Sequence, residues 1–288
     1  MDRPRRAHRH LLSRANRAKR KPRAQKVRDR ELEAGATAHF DDPAYYAQSY
    51  ADRKDDVAYY LRVAKKHERV LEYGIGNGRI AIPMARAGTN VVGVDQSRAM
   101  LADLRARLKR QPPELRARIA VRAGDMRRVK LGKRFPLVIC PFNTVLHLYT
   151  RQDLELWLDR VREHLEPRGE LVLDISMPII EDLADEPGTS YSMRPFVHPT
   201  AGLVGYRETF DYDRVRQILF VGMCFEPKQG KKAPFMVPLA HRQYFPREFE
   251  ALLHYNGFEV TALRGDFEGG PLVQSSDTMI WHARRRKK

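Results

Sequence analysis

From Glu68 onward the chain alternates between short, continuous apolar runs and segments whose apolar residues recur every three or four positions. ERVLEYG (68–74), NVVGVD (90–95), RIAVRAGD (118–125), RFPLVIC (134–140) and ELVLDIS (170–176) are of the first kind and read as buried strands. Residues 77–87, 97–110 and 151–165 carry the helical period between them, with Ser97 as an N-cap and Pro167 and Gly169 as a stop for the last. Ahead of the first strand, DDVAYYLRVAKKH from Asp55 puts acidic groups at a helix N-terminus and apolar groups on one face. Strands separated by helices of this length form right-handed βαβ units and a parallel sheet.

After Ser176 the rhythm changes. RETFDYDRV, RQILFVGMCFE and KAPFMVPLAHRQYF read as antiparallel strands with no helix between them. A helix follows from Pro246 to a stop at Gly257, then two final strands, FEVTALRGDF and SSDTMIWHARR. The expected fold class is α/β: a doubly wound, Rossmann-like, mostly parallel sheet with an antiparallel terminal strand and an inserted antiparallel β cap at about 177–245.

Charge divides the chain further. The formal net charge is +17 over 288 residues. Residues 1–30 hold 13 Lys and Arg against Asp2 and Asp29, the last five residues are all basic, and the body between is close to neutral. Residues 1–33 therefore read as a basic tail, disordered in isolation; 34–283 form the folded domain and 284–288 a second basic tail. Cys140 and Cys224 are too few and too far apart for a disulfide framework or a structural zinc site. No run reaches the length of a membrane span and the first thirty residues lack the apolar stretch of a signal peptide, so the expected location is cytoplasmic, without a membrane partner.

In an open parallel sheet, ligands bind beyond the carboxyl ends of the strands, where the strand order reverses. The loops gathered there carry Glu72 with Gly74, Gly76 and Gly78, then Asp95 and Gln96, then Gly124-Asp125-Met126, then Pro141-Phe142-Asn143. Glycines let backbone approach a ligand closely, and a carboxylate ending the second strand suits a ribose diol. A phosphate loop is excluded because no Gly-Lys-Ser/Thr follows. The dinucleotide fingerprint is broken by Arg79, three positions after Gly76. Glu72 would repel a pyrophosphate and welcome an ammonium, and Asp125 offers an acceptor to an adenine amine. The site asks for an adenosine with a zwitterionic, phosphate-free tail, a description met by S-adenosyl-L-methionine.

On these residues the chain resembles the class I S-adenosylmethionine (SAM)-dependent methyltransferases over roughly residues 45–283. The resemblance implies a glycine loop along the methionine moiety, Asp95 on the ribose, Gln96 and Met126 flanking the adenine, and Asp125 at its amine. Tyr73 departs from the pattern, since small residues are more usual there. The segments PFNTVLHLYTRQDLELWLDRVREHLEPRGELVLDI and HRQYFPREFEALLHYNGFEVTALRGDFEGGPL resemble the small-molecule N-methyltransferases of the methyltransferase domain 25 type, which include those acting on sugar amines and glycine-type amines.

The expected activity is in-line methyl transfer to a nitrogen or oxygen of a small-molecule acceptor. His147, just past the fourth strand, is the candidate general base, since an imidazole exchanges protons near neutrality. Tyr46 and Tyr50 fall where related enzymes place tyrosines over the cofactor, and a ring face suits a sulfonium cation. In the inserted sheet Arg207, Tyr212 and Arg242 are candidates for the acceptor, as are His241 and Tyr244. No metal site is expected. Two other readings compete: a methyltransferase of RNA or of an RNA-bound protein that uses the basic tails to hold phosphate, and a SAM-binding module without catalysis.

Overall fold

The computed structural model describes residues 22–230 and 232–286. Among these residues the chain forms nine α-helices and eleven strands. Seven strands make one sheet: β1 (Arg69–Tyr73), β2 (Asn90–Asp95), β3 (Ile119–Ala123), β4 (Phe135–Cys140), β5 (Leu165–Ser176), β10 (Phe258–Arg264) and β11 (Thr278–Arg285), in the order β10-β11-β5-β4-β1-β2-β3. β1 pairs in parallel with both β2 and β4, so the order reverses at β1. β11 runs antiparallel between β10 and β5. This is the doubly wound sheet that the alternation of runs predicts, with its antiparallel terminal strand.

Helices cover both faces. α7 (Arg151–His164) buries Leu154, Trp157, Leu158 and Val161, one stripe at helical spacing, in the same core as Phe249 and Leu253 of α9 (Pro246–Tyr255). The other face takes α3 (Asp55–Ala64), α4 (Ala81–Arg86) and α5 (Arg98–Lys109) through Tyr60, Met84 and Leu104 among others. Tyr73, the departure at the end of β1, is fully buried on the α7 side, its hydroxyl 2.7 Å from His164 Nδ1.

Several boundaries differ from the sequence reading. The helix expected from Asn77 begins at Ala81, because Gly74, Gly76 and Gly78 all take positive φ and turn the chain before it can wind. α7 ends at His164 and β5 starts at once. Pro167 and Gly169 lie within β5, where a register shift between Phe135 and Leu137 of its neighbour absorbs them. The pattern also passes over two short helices, α6 (Pro113–Ala117) and α8 (Ile180–Ala184), and β6 (Ser190–His198), a largely exposed edge strand broken by a register shift around Pro195.

β6 pairs with β7 (Gly202–Asp213), followed by β8 (Ile218–Pro227) and β9 (Phe235–Arg242), as a separate four-stranded antiparallel sheet, the cap. The expected division at residue 33 falls inside α1 (Pro22–Gly35), and β11 continues through Arg284 and Arg285. Residues 1–21 of the basic tail lie outside the described residues, as do Lys287 and Lys288.

The sheet also fixes the glycine loop sterically. A Cβ on Gly93, in the middle of β2, would lie 2.0 Å from Ile75 Cδ1 and 2.7 Å from Ile75 Cβ. Ile75 is 2% exposed and has no room to retreat. Gly93→Ala should therefore destabilise the fold by about 1–3 kcal/mol, read as a lower urea midpoint with unchanged slope.

Candidate active site

A cavity of about 570 Å³ opens beyond the carboxyl ends of β1, β2 and β4, at the reversal of strand order. The first two loops supply its acidic groups. Glu72 sits within β1, 2% exposed, and its Oε2 has no hydrogen-bond partner among the described residues. Burial holds its carboxyl well above the usual carboxylate range, with Arg79 working against the shift and Asp95 adding to it. Asp95, at the tip of β2, is gripped by backbone: Gly76 N donates to Oδ2 at 2.8 Å and Ser97 N to Oδ1 at 2.8 Å. Burial raises its carboxyl, and these amides oppose the rise. Both oxygens keep a further lone pair for a ligand hydroxyl.

The three glycines do different work. Gly74 and Gly76 line the cavity, whereas Gly78 does not. At φ +82°, a Cβ on Gly78 would lie 2.5 Å from Leu104 Cδ1, so this glycine serves the packing of the loop on α5.

Gln96, Asp125 and Met126 line the cavity beside β2 and β3. The Asp125 carboxylate is clasped by Arg127, whose Nε and Nη2 donate at 2.7–3.0 Å, and the same guanidinium reaches Asp153. Burial opposes the effect, but the Arg127 bonds hold the Asp125 carboxyl below its usual value.

After β4 the chain makes an unusual turn: Phe142 and Asn143 are consecutive non-glycine residues at φ +52° and +60°. Such backbone persists only when its surroundings over-determine it. Here buried Asp174 does so, its Oδ1 accepting from Phe142 N at 2.9 Å and Tyr60 Oη at 2.6 Å, while Asn143 binds Ser176. Cys140 ends β4 fully buried, and burial pushes its thiol well up, so it serves as a small apolar core residue.

The outer wall comes from the N-terminal side. A 3-10 turn (Ala38–Phe40) and α2 (Pro43–Ser49), capped by Asp42 on Tyr45 N at 2.9 Å, bring His39, Tyr46 and Tyr50 over the cavity. The Tyr50 ring lies 4.8 Å from that of Tyr46 and 4.7 Å from that of Phe142, and its hydroxyl is 3.0 Å from His39 Nε2. Behind this wall fully buried Asp56 binds Arg79 at 2.8 and 2.5 Å and Arg53 at 3.0 Å. Both guanidiniums also stand over the Phe142 ring.

His147 lines the cavity, its ring 5.1 Å from that of His241 on β9 and 5.3 Å from that of Phe40. Desolvation lowers both His147 and His39 to about 4, and His241 well below its ordinary value. The three imidazoles are neutral at pH 7. Of the cap candidates only His241 reaches the cavity. Arg242 turns away to Glu248 at 2.6 Å and Gln217 at 2.7 Å, over the Tyr244 ring. Tyr244 is buried and donates to Leu148 O at 2.6 Å, and Arg207 lies 3.8 Å from Glu226. Neither Arg207, Tyr212 nor Arg242 lines the cavity.

The sequence pattern passes over His39, Asp56, Arg79 and Asp174, whose parts depend on long-range pairing. Only the aromatic density of AHFDDPAYY, ahead of the first periodic helix, signals His39. Among the described residues no group of three His, Cys, Asp or Glu side chains is placed to hold a metal, and no helix is long and apolar enough to cross a membrane.

Comparison with known proteins agrees with this geometry. Residues 70–169 match the family described as a methyltransferase domain. A curated relative, dTDP-3-amino-3,6-dideoxy-alpha-D-glucopyranose N,N-dimethyltransferase of Streptomyces fradiae, is 30% identical over 125 residues, 43% of this chain and 46% of the relative. The chain thus spans about half the length of the curated relatives it matches. Among solved structures, the CcbJ methyltransferase of Streptomyces caelestis superposes with a TM-score of 0.70 at 25% identity, covering 81% of this chain and 90% of that one. A SAM-bound amino pentose methyltransferase of Micromonospora echinaspora superposes at 0.62 and 23% identity, covering 83% and 96%. The chain carries a methyltransferase domain within a Rossmann-like methyltransferase fold.

The buried imidazoles make stability depend on pH. A histidine whose folded pKa lies below its unfolded value binds its proton more readily when unfolded, so folding stability falls as pH drops from 6.5 towards about 4. His39, 3% exposed, should contribute roughly 3 kcal/mol of that loss. His39→Gln should lose measurably less stability than the wild type between pH 7 and pH 4.5 in urea unfolding; an equal loss would contradict its burial in the neutral form.

Proposed function

We propose that this chain is an S-adenosyl-L-methionine-dependent methyltransferase that transfers one methyl group at a time to the amine nitrogen of a small molecule. The observation that carries the reading is the Glu72 carboxyl, buried in β1 on the cavity wall, with one oxygen that has no hydrogen-bond partner among the described residues. A buried acid without a partner costs several kcal/mol if ionised, and an incoming cation removes that cost. The ammonium of SAM's methionine moiety supplies the cation, and Asp95, oriented by two backbone amides, has lone pairs left for its ribose hydroxyls. The residues present fit that group, with Gln96, Asp125 and Met126 along the adenine and Phe142 and Asn143 closing the β4 side.

When bound, SAM supplies a methyl group made electrophilic by the sulfonium sulfur it hangs from. The chain's task is to hold an electron pair in line with that carbon. Orientation of this kind is worth up to about 7–11 kcal/mol, whereas a general base adds roughly 10²- to 10⁴-fold. Tyr46, Tyr50 and Phe142 exclude water and present ring faces to a cation. His147, neutral at pH 7, takes the proton that the acceptor nitrogen gives up. Because burial disfavours the imidazolium form, the proton stays there only briefly, and positioning outweighs basicity.

The comparisons favour a small amine: the S. fradiae relative is, by its name, a sugar-amine dimethyltransferase. The reading in which the basic tails, residues 1–30 and 284–288, hold RNA rests in large part on residues 1–21, 287 and 288, which lie outside the described residues. Both cysteines are free thiols, which supports a cytoplasmic location.

Glu72→Gln keeps the shape and removes the charge, and should weaken SAM binding roughly ten- to hundredfold by calorimetry. Asp95→Ala should weaken it at least as much, and unchanged affinity in both variants would sink the cofactor assignment. Methyl-labelled SAM incubated with amino sugars, glycine-type amines, phenols and tRNA, followed by mass spectrometry of products, should label an amine; label confined to tRNA would overturn the acceptor class.

A further inference from the structure

Two residues past His147, Tyr149 turns its side chain toward the cap. Its hydroxyl lies 3.1 Å from the carbonyl oxygen of Ala240 on β9 and 3.1 Å from His147 Nδ1. A carbonyl can only accept, so both contacts are hydrogen bonds at once only if the single hydrogen of the hydroxyl goes to Ala240. The phenolic oxygen then has only lone pairs to offer, and the contact with Nδ1 is a hydrogen bond only if the imidazole donates it. A neutral imidazole carries one N–H. Nε2 is therefore bare, it has no hydrogen-bond partner among the described residues, and its ring lines the cavity.

We propose that Tyr149 is a positioning residue: it locks His147 in the Nδ1–H tautomer and so leaves the Nε2 lone pair free to receive the proton of the methyl acceptor. The proposal rests on the reading of His147 as the base. As the new N–C bond forms and the C–S bond breaks, the sulfur keeps the bonding pair, the acceptor's N–H proton passes to Nε2, and from there it returns to solvent. An Nε2–H tautomer would present a donor where an acceptor is needed and could take no proton at that atom.

The device spans both sheets. His147 and Tyr149 follow β4 of the large sheet, whereas the carbonyl that orients them belongs to the cap. Ala240 is in turn braced from outside, because a Cβ on Gly35 of α1 would lie 2.7 Å from Ala240 Cβ. The cap thus does more than cover the cavity; it sets which ring nitrogen the cavity sees.

Tyr149→Phe deletes the hydroxyl alone and keeps the packed ring. Nitrogen-15 NMR of histidine-labelled protein, without any ligand and with His147→Gln to identify the signal, reads the tautomer directly. Wild type should show His147 as the Nδ1–H form, and Tyr149→Phe should shift the tautomer ratio toward Nε2–H by about tenfold. Calorimetry with SAM should give equal affinities for the two proteins. A wild-type Nε2–H signal, or a ratio unmoved by Tyr149→Phe, overturns the proposal, and so does a variant that loses SAM affinity while its tautomer stays put, because that marks Tyr149 as a packing residue. Failure of wild type to bind SAM would instead count against the proposed function, with the tautomer measurement still standing.

Discussion

Glu72 can wait without a partner only because something keeps the nearest cation away from it. Arg79 stands close enough to pull on the Glu72 carboxyl electrostatically, and without restraint a guanidinium there would close onto the acid and fill the site with an internal ion pair. Asp56 prevents this. It is fully buried, it accepts from both Nη atoms of Arg79, and its Oδ2 accepts from Arg53 Nε as well. A buried pair of this kind is of little net worth to stability. Its value lies in commitment, since Arg79 is paired with Asp56 while a Glu72 oxygen on the cavity wall is left without a partner. The same guanidinium props the Phe142 ring, so one ionic knot arranges two walls of the site.

The knot also joins chain segments that the sheet alone would not bring together. Asp56 opens α3, Arg79 follows the glycine loop, and Arg53 lies between α2 and α3, so the aromatic wall of Tyr46 and Tyr50 is tied to β1 through charge rather than through strand pairing. Asp174 does the equivalent on the β4 side. It satisfies the left-handed turn at Phe142 and accepts from Tyr60 of α3, and it lies on β5 between those two elements. Two buried carboxylates, neither facing the cavity, thus place the loops that do. A carboxylate in this position has a geometric advantage, because it accepts several bonds at once and can fix donors arriving from different directions.

The legible part of the molecule follows from local physics. Apolar runs and helical stripes between Glu68 and Ser176 announce βαβ units, because a strand buried on both faces must be apolar along its length and a helix over a sheet must be apolar on one stripe. The acidic strand ends were visible for the same reason: a charge closing an apolar run has to answer to something outside the sheet. What remained hidden depends on pairing across long separations. Asp56 and Arg79 are 23 residues apart, Tyr60 and Asp174 are 114 apart, and nothing near either member signals the other. In the cap, alternation along a strand names two faces without saying which one looks inward. Arg242 illustrates this, since its neighbour His241 faces the cavity while its own guanidinium is taken by Glu248 and Gln217. Gly78 shows the converse, for a glycine in a ligand loop can be demanded by a helix behind it.

The side of the cavity proposed for the acceptor differs in kind from the side proposed for the cofactor. Carboxylates mark the β1 and β2 ends, whereas His39, His147 and His241 present neutral rings, kept so by desolvation, to which neighbouring histidines add for His147 and His241. Under the proposed function, an ammonium entering such a place would lose hydration and meet the positive charge of the cofactor, and both effects would drive it toward the free amine. Much of the deprotonation that methylation requires is therefore accomplished by the environment before any single base acts. A neutral imidazole then needs only to accept the departing proton at a fixed atom. Under the proposed function, this division of labour would let a ring with so low a proton affinity serve: the site would lower the basicity of the acceptor along with that of His147, and the transfer would stay close to balanced.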